Sequence, residues 1–133
     1  MSAIKPNPQQ FQELAQAPDD KPVVMLNLLK FKEQAEGEQG SGADAYARYG
    51  ESAVRMISET GGRLLWQARA DQILIGDADE DWDTVLLVEY PSRKAFLEMV
   101  SRPDYMKSHE HREAGLERTI VIACSPTDRG GAR

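Results

Sequence analysis

The stretch "VVMLNLLKF", residues 23–31, limits what this chain can fold into more than any other. Its strand-forming residues and its length make it a strand. Side chains alternate across a strand, so Val23, Met25, Asn27, Leu29 and Phe31 point one way and Val24, Leu26 and Leu28 the other. Both faces are apolar. A strand of this kind is covered on both sides in a folded protein. Lys30 and Lys32 mark where one face reaches water. With 133 residues the chain can bury such a core within one domain.

The segments around it supply part of the cover. "DAYARYGESAVRMISETGG" puts Tyr46, Tyr49, Ala53, Met56, Ile57 and Thr60 on one helical stripe, and Gly61 and Gly62 stop it. "GRLLWQARADQILIG" reads as one long strand, or two joined by a bend near Asp71. "WDTVLLVEYPS" is the next strand, and the acidic "DADEDW" between them is the turn of a hairpin. Ser92 caps "RKAFLEMVSR", Pro103 opens the helix "PDYMKSHEHREAG", and "RTIVIAC" is the last strand. Ahead of all this, "PQQFQELAQAP" is a short helix stopped before Pro18, and "PDDKP" is a turn.

The order β–α–β–β–α–β predicts an α+β, ferredoxin-like antiparallel sheet with helices on one face. Residues 1–21 form a lead with a short helix, 22–124 the domain, and 125–133 a frayed, flexible tail. The other sheet face is left bare. Leu64 and Trp66, two apart on the second strand, share one face and add to the apolar patch. A twofold homodimer that stacks sheet on sheet would cover it.

Charge and cysteine content narrow the function. The net charge is −6 and there is no Lys/Arg stripe, so nucleic acid and anionic membranes are not expected partners. The longest apolar run, "VVMLNLL", is too short to span a membrane. Cys124 is alone, which excludes an intramolecular disulfide and fits a reducing compartment; it reads as a buried, inert thiol. "MSAIKPNPQQ" has no apolar h-region, so the expectation is a cytoplasmic protein without a signal peptide. No dinucleotide, P-loop, nucleophile-elbow or H-E-x-x-H pattern occurs, and no cofactor is expected. The polar, Gly-rich residues 33–44 read as a mobile connector or as a lid over a site.

Both histidines lie in "SHEHRE", residues 108–113. On a helix, positions two apart project about 200° from each other, so His109 and His111 cannot chelate one ion. His109 and Glu113 do share a face, but two ligands are too few for a tight site, and no metal is expected. Asn27 is the odd residue on its apolar strand face. It either makes a structural hydrogen bond or orients a ligand in an apolar cavity. Tyr46 and Tyr49 are core residues by their stripe, yet their hydroxyls need partners. Trp66 is a packing or interface residue, with ligand contact as the alternative.

"VVMLNLLKF", "YARYGE", "GGRLLWQ", "WDTVLLVEYPSRKAFLEMVSRPDY" and "HREAGLE" together resemble the domain-of-unknown-function 1330 family. The resemblance covers roughly residues 22–124. It implies the dimeric α/β-barrel superfamily, in which two ferredoxin-like protomers put their sheets together. Relatives by fold include cofactor-free monooxygenases, muconolactone isomerases, haem-degrading enzymes and polyketide cyclases. Fold alone supplies no reaction. His111 and Arg112 match the "HR" positions of the family, and His109 has no such match.

An imidazole can move a proton near neutral pH, and a guanidinium can orient a carboxylate or enolate. The expectation is therefore a homodimer with a small-molecule cavity between sheet and helices. Asn27, Tyr46, Tyr49 and Trp66 would bind the ligand, Arg112 would hold its anionic group, and His111 would shuttle a proton. The reaction would be isomerisation, cyclisation or oxygenation of a small carbonyl or aromatic compound. The rival expectations are a non-catalytic ligand-binding or structural dimer, and a haem-handling protein.

Overall fold

Strand β1 (Val23–Phe31) lies inside the sheet. Its neighbours are β3 (Thr84–Tyr90) and β4 (Leu116–Cys124), and β2 (Arg63–Arg69) flanks β3, giving the order β2-β3-β1-β4. All three pairings are antiparallel. The computed structural model describes residues 5–18 and 21–127. Helix α1 (Pro8–Gln16) precedes the sheet, and α2 (Gly42–Glu59) joins β1 to β2. The crossover from β3 to β4 is a pair of short helices, α3 (Arg93–Val100) and α4 (Pro103–Gly115). The architecture is α+β and ferredoxin-like, as the element order predicts.

Local chemistry sets the helix ends. Ser41 accepts from the Asp44 N–H at 3.0 Å, and the Asp44 carboxylate accepts from the Ser41 N–H at 3.0 Å. This reciprocal cap starts α2 at Gly42. Gly61, at φ 89°, ends it in the left-handed region. Pro103 occupies the first turn of α4, where its missing N–H costs nothing.

The helix-facing side of β1 is buried as the alternation predicts. Val23, Met25 and Leu29 join Val88 and Tyr90 of β3, Tyr49, Ala53 and Met56 of α2, and Met99 and Tyr105 of the crossover in the core. The start of α2 and the end of α4 meet at two glycines. A Cβ on Gly42 would lie 2.5 Å from the Gly115 oxygen, and one on Gly115 would lie 2.3 Å from the Gly42 oxygen. Lys32 stitches this seam, donating its N–H to the Gly115 oxygen and accepting from the Gly42 N–H.

The loop after β1 is strapped to the end of α4. The Glu36 N–H donates to the Ala114 oxygen, and the Ala35 N–H closes the loop on the Gly40 oxygen. Three sequence expectations change. The second strand ends at Arg69, opposite Thr84 where its partner β3 begins, and one further bond, from the Ala70 N–H to the Asp83 oxygen, closes the pairing. Residues 70–83 are irregular apart from one 3₁₀ turn, Ala78–Glu80. Next, a bulge between Leu64 and Trp66 breaks the period of two, so Leu64 opposes Val88 on the helix side and Trp66 opposes Leu87 on the other. Finally, Cys124 is partly exposed, since β4 is an edge strand on an uncovered face. Part of "PDDKP" and the tail from residue 128 lie outside the described residues.

The second face of the sheet is open. The register groups Leu26 and Leu28 with Val85 and Leu87, with Ile120 and Ile122, and with Trp66. Trp66 is 55% exposed. Charged groups bound this face at both ends. Arg63 meets Glu89 at one end, and Lys30, Asp81, Asp83 and Arg118 form a network at the other, with Arg118 stacked on Trp82 at 4.4 Å. Among the described residues, no helix is long and apolar enough to cross a membrane.

Candidate functional site

Helix α4 turns Tyr105, Ser108, His109 and Arg112 inward by their spacing of three and four. Across from them, α2 presents Tyr46, Tyr49 and Ser52. The hydroxyls of Tyr49 and Tyr105 are 2.9 Å apart, and those of Ser52 and Ser108 are hydrogen-bonded. Rings stack onward from this pair. Tyr49 lies 5.2 Å from Tyr46, and Tyr46 lies 5.5 Å from Phe31 of β1. Arg112 is 7% exposed and donates to the Tyr46 hydroxyl. A guanidinium is thus held among aromatic rings, in the low-dielectric interior where its field is strongest.

Burial dominates the electrostatics here. It holds the hydroxyls of Tyr46, Tyr49, Tyr90 and Tyr105 above the usual phenol range, against the pull of the Arg112 charge, so all four stay protonated at neutral pH. His109 packs edge-on to Tyr49, with its Nδ1 3.6 Å from Glu113. Burial first, and then the Arg112 charge, push its pKa below the ordinary imidazole value, while Glu113 pulls the other way.

His111 turns away from this cluster. Its Nδ1 lies 2.8 and 2.9 Å from the two oxygens of Glu38, which sits in the strap after β1. Arg48 holds the same carboxylate at 2.9 Å. Burial pushes the Glu38 carboxyl up, but the bonds from His111 and Arg48 outweigh it and leave the group below its ordinary range.

The structure therefore gathers Arg112, Tyr46 and Tyr49 and turns His111 and Trp66 away from them. Asn27 lies on the helix-facing side of β1, and its amide donates to the Met25 oxygen at 3.1 Å. Trp66 lies on the open face, on the far side of the sheet. Tyr105 and Ser108 join the buried cluster without having been singled out, and His109, set aside as a metal ligand, joins it too. Their spacing with Arg112 was the available signal, and "SHEHRE" drew attention to neighbours in sequence rather than on one face. Glu38 is 73 residues from His111, and no local pattern pairs them. Two open depressions lie elsewhere, and neither is lined by Arg112, Tyr46 or Tyr49. One of about 680 Å³ is lined by Phe31, Gln67, Arg69, Asp83 and Thr84. The other, about 560 Å³, lies against Ala15 of α1 and Lys94 and Leu97 of α3. Among the described residues, no three His, Cys, Asp or Glu side chains come together to hold a metal.

Comparison with known proteins now adds context. A search of curated proteins returned no match. A crystal structure of a protein of unknown function from Rhodopseudomonas palustris (RPA0582) is 35% identical, with a TM-score of 0.90 over 96% of this chain and 99% of that one. A DABB family protein with a ferredoxin-like fold from Mesorhizobium loti is similar in fold alone, at 16% identity and a TM-score of 0.55 over 80% and 97% of the two chains. The hydroxynitrile lyase from Passiflora edulis is likewise similar in fold, at 15% identity and a TM-score of 0.54 over 82% and 96%. These likenesses agree with the ferredoxin-like fold. The family described as "Domain of unknown function (DUF1330)" matches residues 39–125, and the chain belongs to it.

Proposed function

We propose that this protein is a homodimer that binds a small carbonyl or aromatic compound bearing negative charge, and that its chemistry is cofactor-free proton transfer. The reaction classes are isomerisation, cyclisation, and oxygenation in which the deprotonated substrate itself gives its electrons to dioxygen as the oxidant. The observation that carries the reading is Arg112, a cation almost wholly withdrawn from water beside neutral tyrosine hydroxyls. Burying a charge is expensive, and a fixed guanidinium in an apolar interior is suited to stabilising a carboxylate or a developing enolate. In this reading Arg112 holds the anionic group, and Asn27, Tyr46 and Tyr49 orient the ligand. His111 exchanges the proton with Glu38 as its acidic neighbour. The open sheet face, apolar at its centre and charged at both ends, supports the homodimer, with Trp66 as part of the contact. A lyase on the same fold shows that such a frame hosts enzymes, and it lends this chain no chemistry.

A second reading is a non-catalytic ligand-binding or structural dimer. Two contacts favour it: Glu38 already engages His111, and Tyr105 already engages the Tyr49 hydroxyl. A thermal-shift screen of aromatic acids and lactones separates the two. The catalytic reading expects hits that stabilise the wild type, about 2.7 kcal/mol at a hundredfold excess over Kd. Arg112→Lys should weaken these hits at least tenfold, and His111→Ala should leave binding intact while removing turnover. No hit across a broad library would sink the ligand site. Hits that bind Arg112→Lys equally well would remove Arg112 from it.

A further inference from the structure

We propose that the open depression beside the end of β2 is a second binding site, separate from the Arg112 cluster, for a small aromatic carboxylate. The ring lies on Phe31, and the carboxylate meets Arg69 and Gln67. The site does not depend on the Arg112 reading.

The bulge between Leu64 and Trp66 builds this corner. Leu64 stands opposite Val88. Continued without the bulge, the same register would set Trp66 opposite Leu86 and Ala68 opposite Thr84, both on the helix-facing side. The extra residue sets Gln67 opposite Leu86 and Arg69 opposite Thr84 instead. A bulge interrupts the ladder, and bulges recur beside sites where a side chain is re-aimed. Here two polar side chains replace an indole and a methyl group. Elsewhere in the sheet this side is the core, yet Gln67 and Arg69 are exposed, so the helices stop short of them.

The space they border is about 680 Å³, within the roughly 300–1,000 Å³ of small-molecule sites. Phe31, Asp83 and Thr84 complete its walls. Phe31 is a fixed platform: its ring packs on Tyr46 at 5.5 Å, and its N–H donates to the Asp83 carboxylate at 2.8 Å. Lys30 meets the other Asp83 oxygen at 3.5 Å, so this acid is already engaged. Arg69 is held more loosely. Its partner Asp71 is two residues away, and the two side chains are 85% and 72% exposed. Such a pair contributes little in water. A ligand carboxylate can replace it in the two-pronged geometry that a guanidinium offers. Among the described residues the Gln67 amide has no hydrogen-bond partner, so it can donate to the same carboxylate. An aromatic ring beside that carboxylate can stack, offset, on Phe31.

The test is a backbone-amide NMR titration of the full chain with benzoate. The expected result is saturable shifts at Phe31, Gln67, Arg69 and Thr84. The dissociation constant should rise at least about tenfold in Arg69→Gln and stay unchanged in Arg112→Lys. Cyclohexanecarboxylate, with the same charge and no aromatic face, should bind at least about threefold more weakly. If Arg69→Gln does not fold, Asp71→Asn decides: freeing Arg69 should tighten binding severalfold, and an unchanged affinity overturns the site. Shifts centred on Tyr46 and Arg112 that vanish in Arg112→Lys would overturn the outer site and leave the Arg112 reading standing. No saturable shift by about 10 mM, an affinity unchanged in a folded Arg69→Gln, or equal binding of the two acids would also overturn it.

Discussion

Replacing Gly115 by alanine should destabilise the protein, although alanine is the better helix former. Gly115 is the last residue of α4. A Cβ there would lie 2.3 Å from the Gly42 oxygen, 3.1 Å from the Tyr46 nitrogen and 3.2 Å from the Ala45 Cβ. The first of these atoms is backbone and cannot rotate away. The start of α2 and the end of α4 must part by about an ångström, which costs roughly 1–3 kcal/mol as overpacking. The Lys32 N–H bond to the Gly115 oxygen, 2.8 Å, is strained with it, at about 1 kcal/mol. Helix propensity returns at most about 1 kcal/mol. The net loss is about 1–3 kcal/mol. Gly50 provides the matched control: it lies within α2, and a Cβ there meets nothing within 4 Å. The same substitution should stabilise there by about 0.5–1 kcal/mol. Denaturant unfolding at one fixed protein concentration reads both, so that any self-association bears on the two variants alike. In thermal unfolding the two variants should move in opposite directions, by about 3–5 °C per kcal/mol. If Gly115→Ala matches or exceeds the wild type, the tight seam between α2 and α4 is wrong.

Two further predictions concern the buried cluster. Tyr49→Phe and Tyr105→Phe should each cost about 1–2 kcal/mol by stranding a buried hydroxyl, and the double variant should cost less than the sum; additive losses would refute the shared hydrogen bond. His109 should titrate below its ordinary value by NMR, and Arg112→Gln should move it back upward. Between the lowered folded value and about 6.5 the unfolded chain binds more protons, so the His109 contribution is complete above that window and is lost as pH falls through the folded value. A midpoint at or above about 6.5 would contradict the burial of this ring.

The fold was legible because its signals are local and periodic. The alternation in "VVMLNLLKF" needs no tertiary information, and neither does the Ser41–Asp44 cap or the proline at the head of α4. The two errors in the second strand were of another kind. A bulge shifts the face of Trp66 through a register set by β3, and the "QILI" run lies beyond the last bond of that pairing, from Ala70 to Asp83. Composition favours a strand there and pairing does not allow one. The candidate site was partly legible. The stripe of Tyr46 and Tyr49 was visible, and so was Arg112 as a residue of interest. That Arg112 is interior while His111 is bound to Glu38 was not.

The sequence by itself determined the alternation of elements, the apolar character of both faces of the first strand and the lack of a Lys/Arg stripe. Each depends on which residues stand two, three or four apart, and those distances belong to the chain. Only the tertiary structure decided which polar groups meet. Tyr49 and Tyr105, and Gly42 and Gly115, are brought together by the packing of α2 against α4, and Glu38 and His111 by the strap after β1, across separations for which the chain carries no period. The physical reason is that contacts between elements depend on how whole faces dock, so a single bulge or missing partner strand changes which side chains share a space.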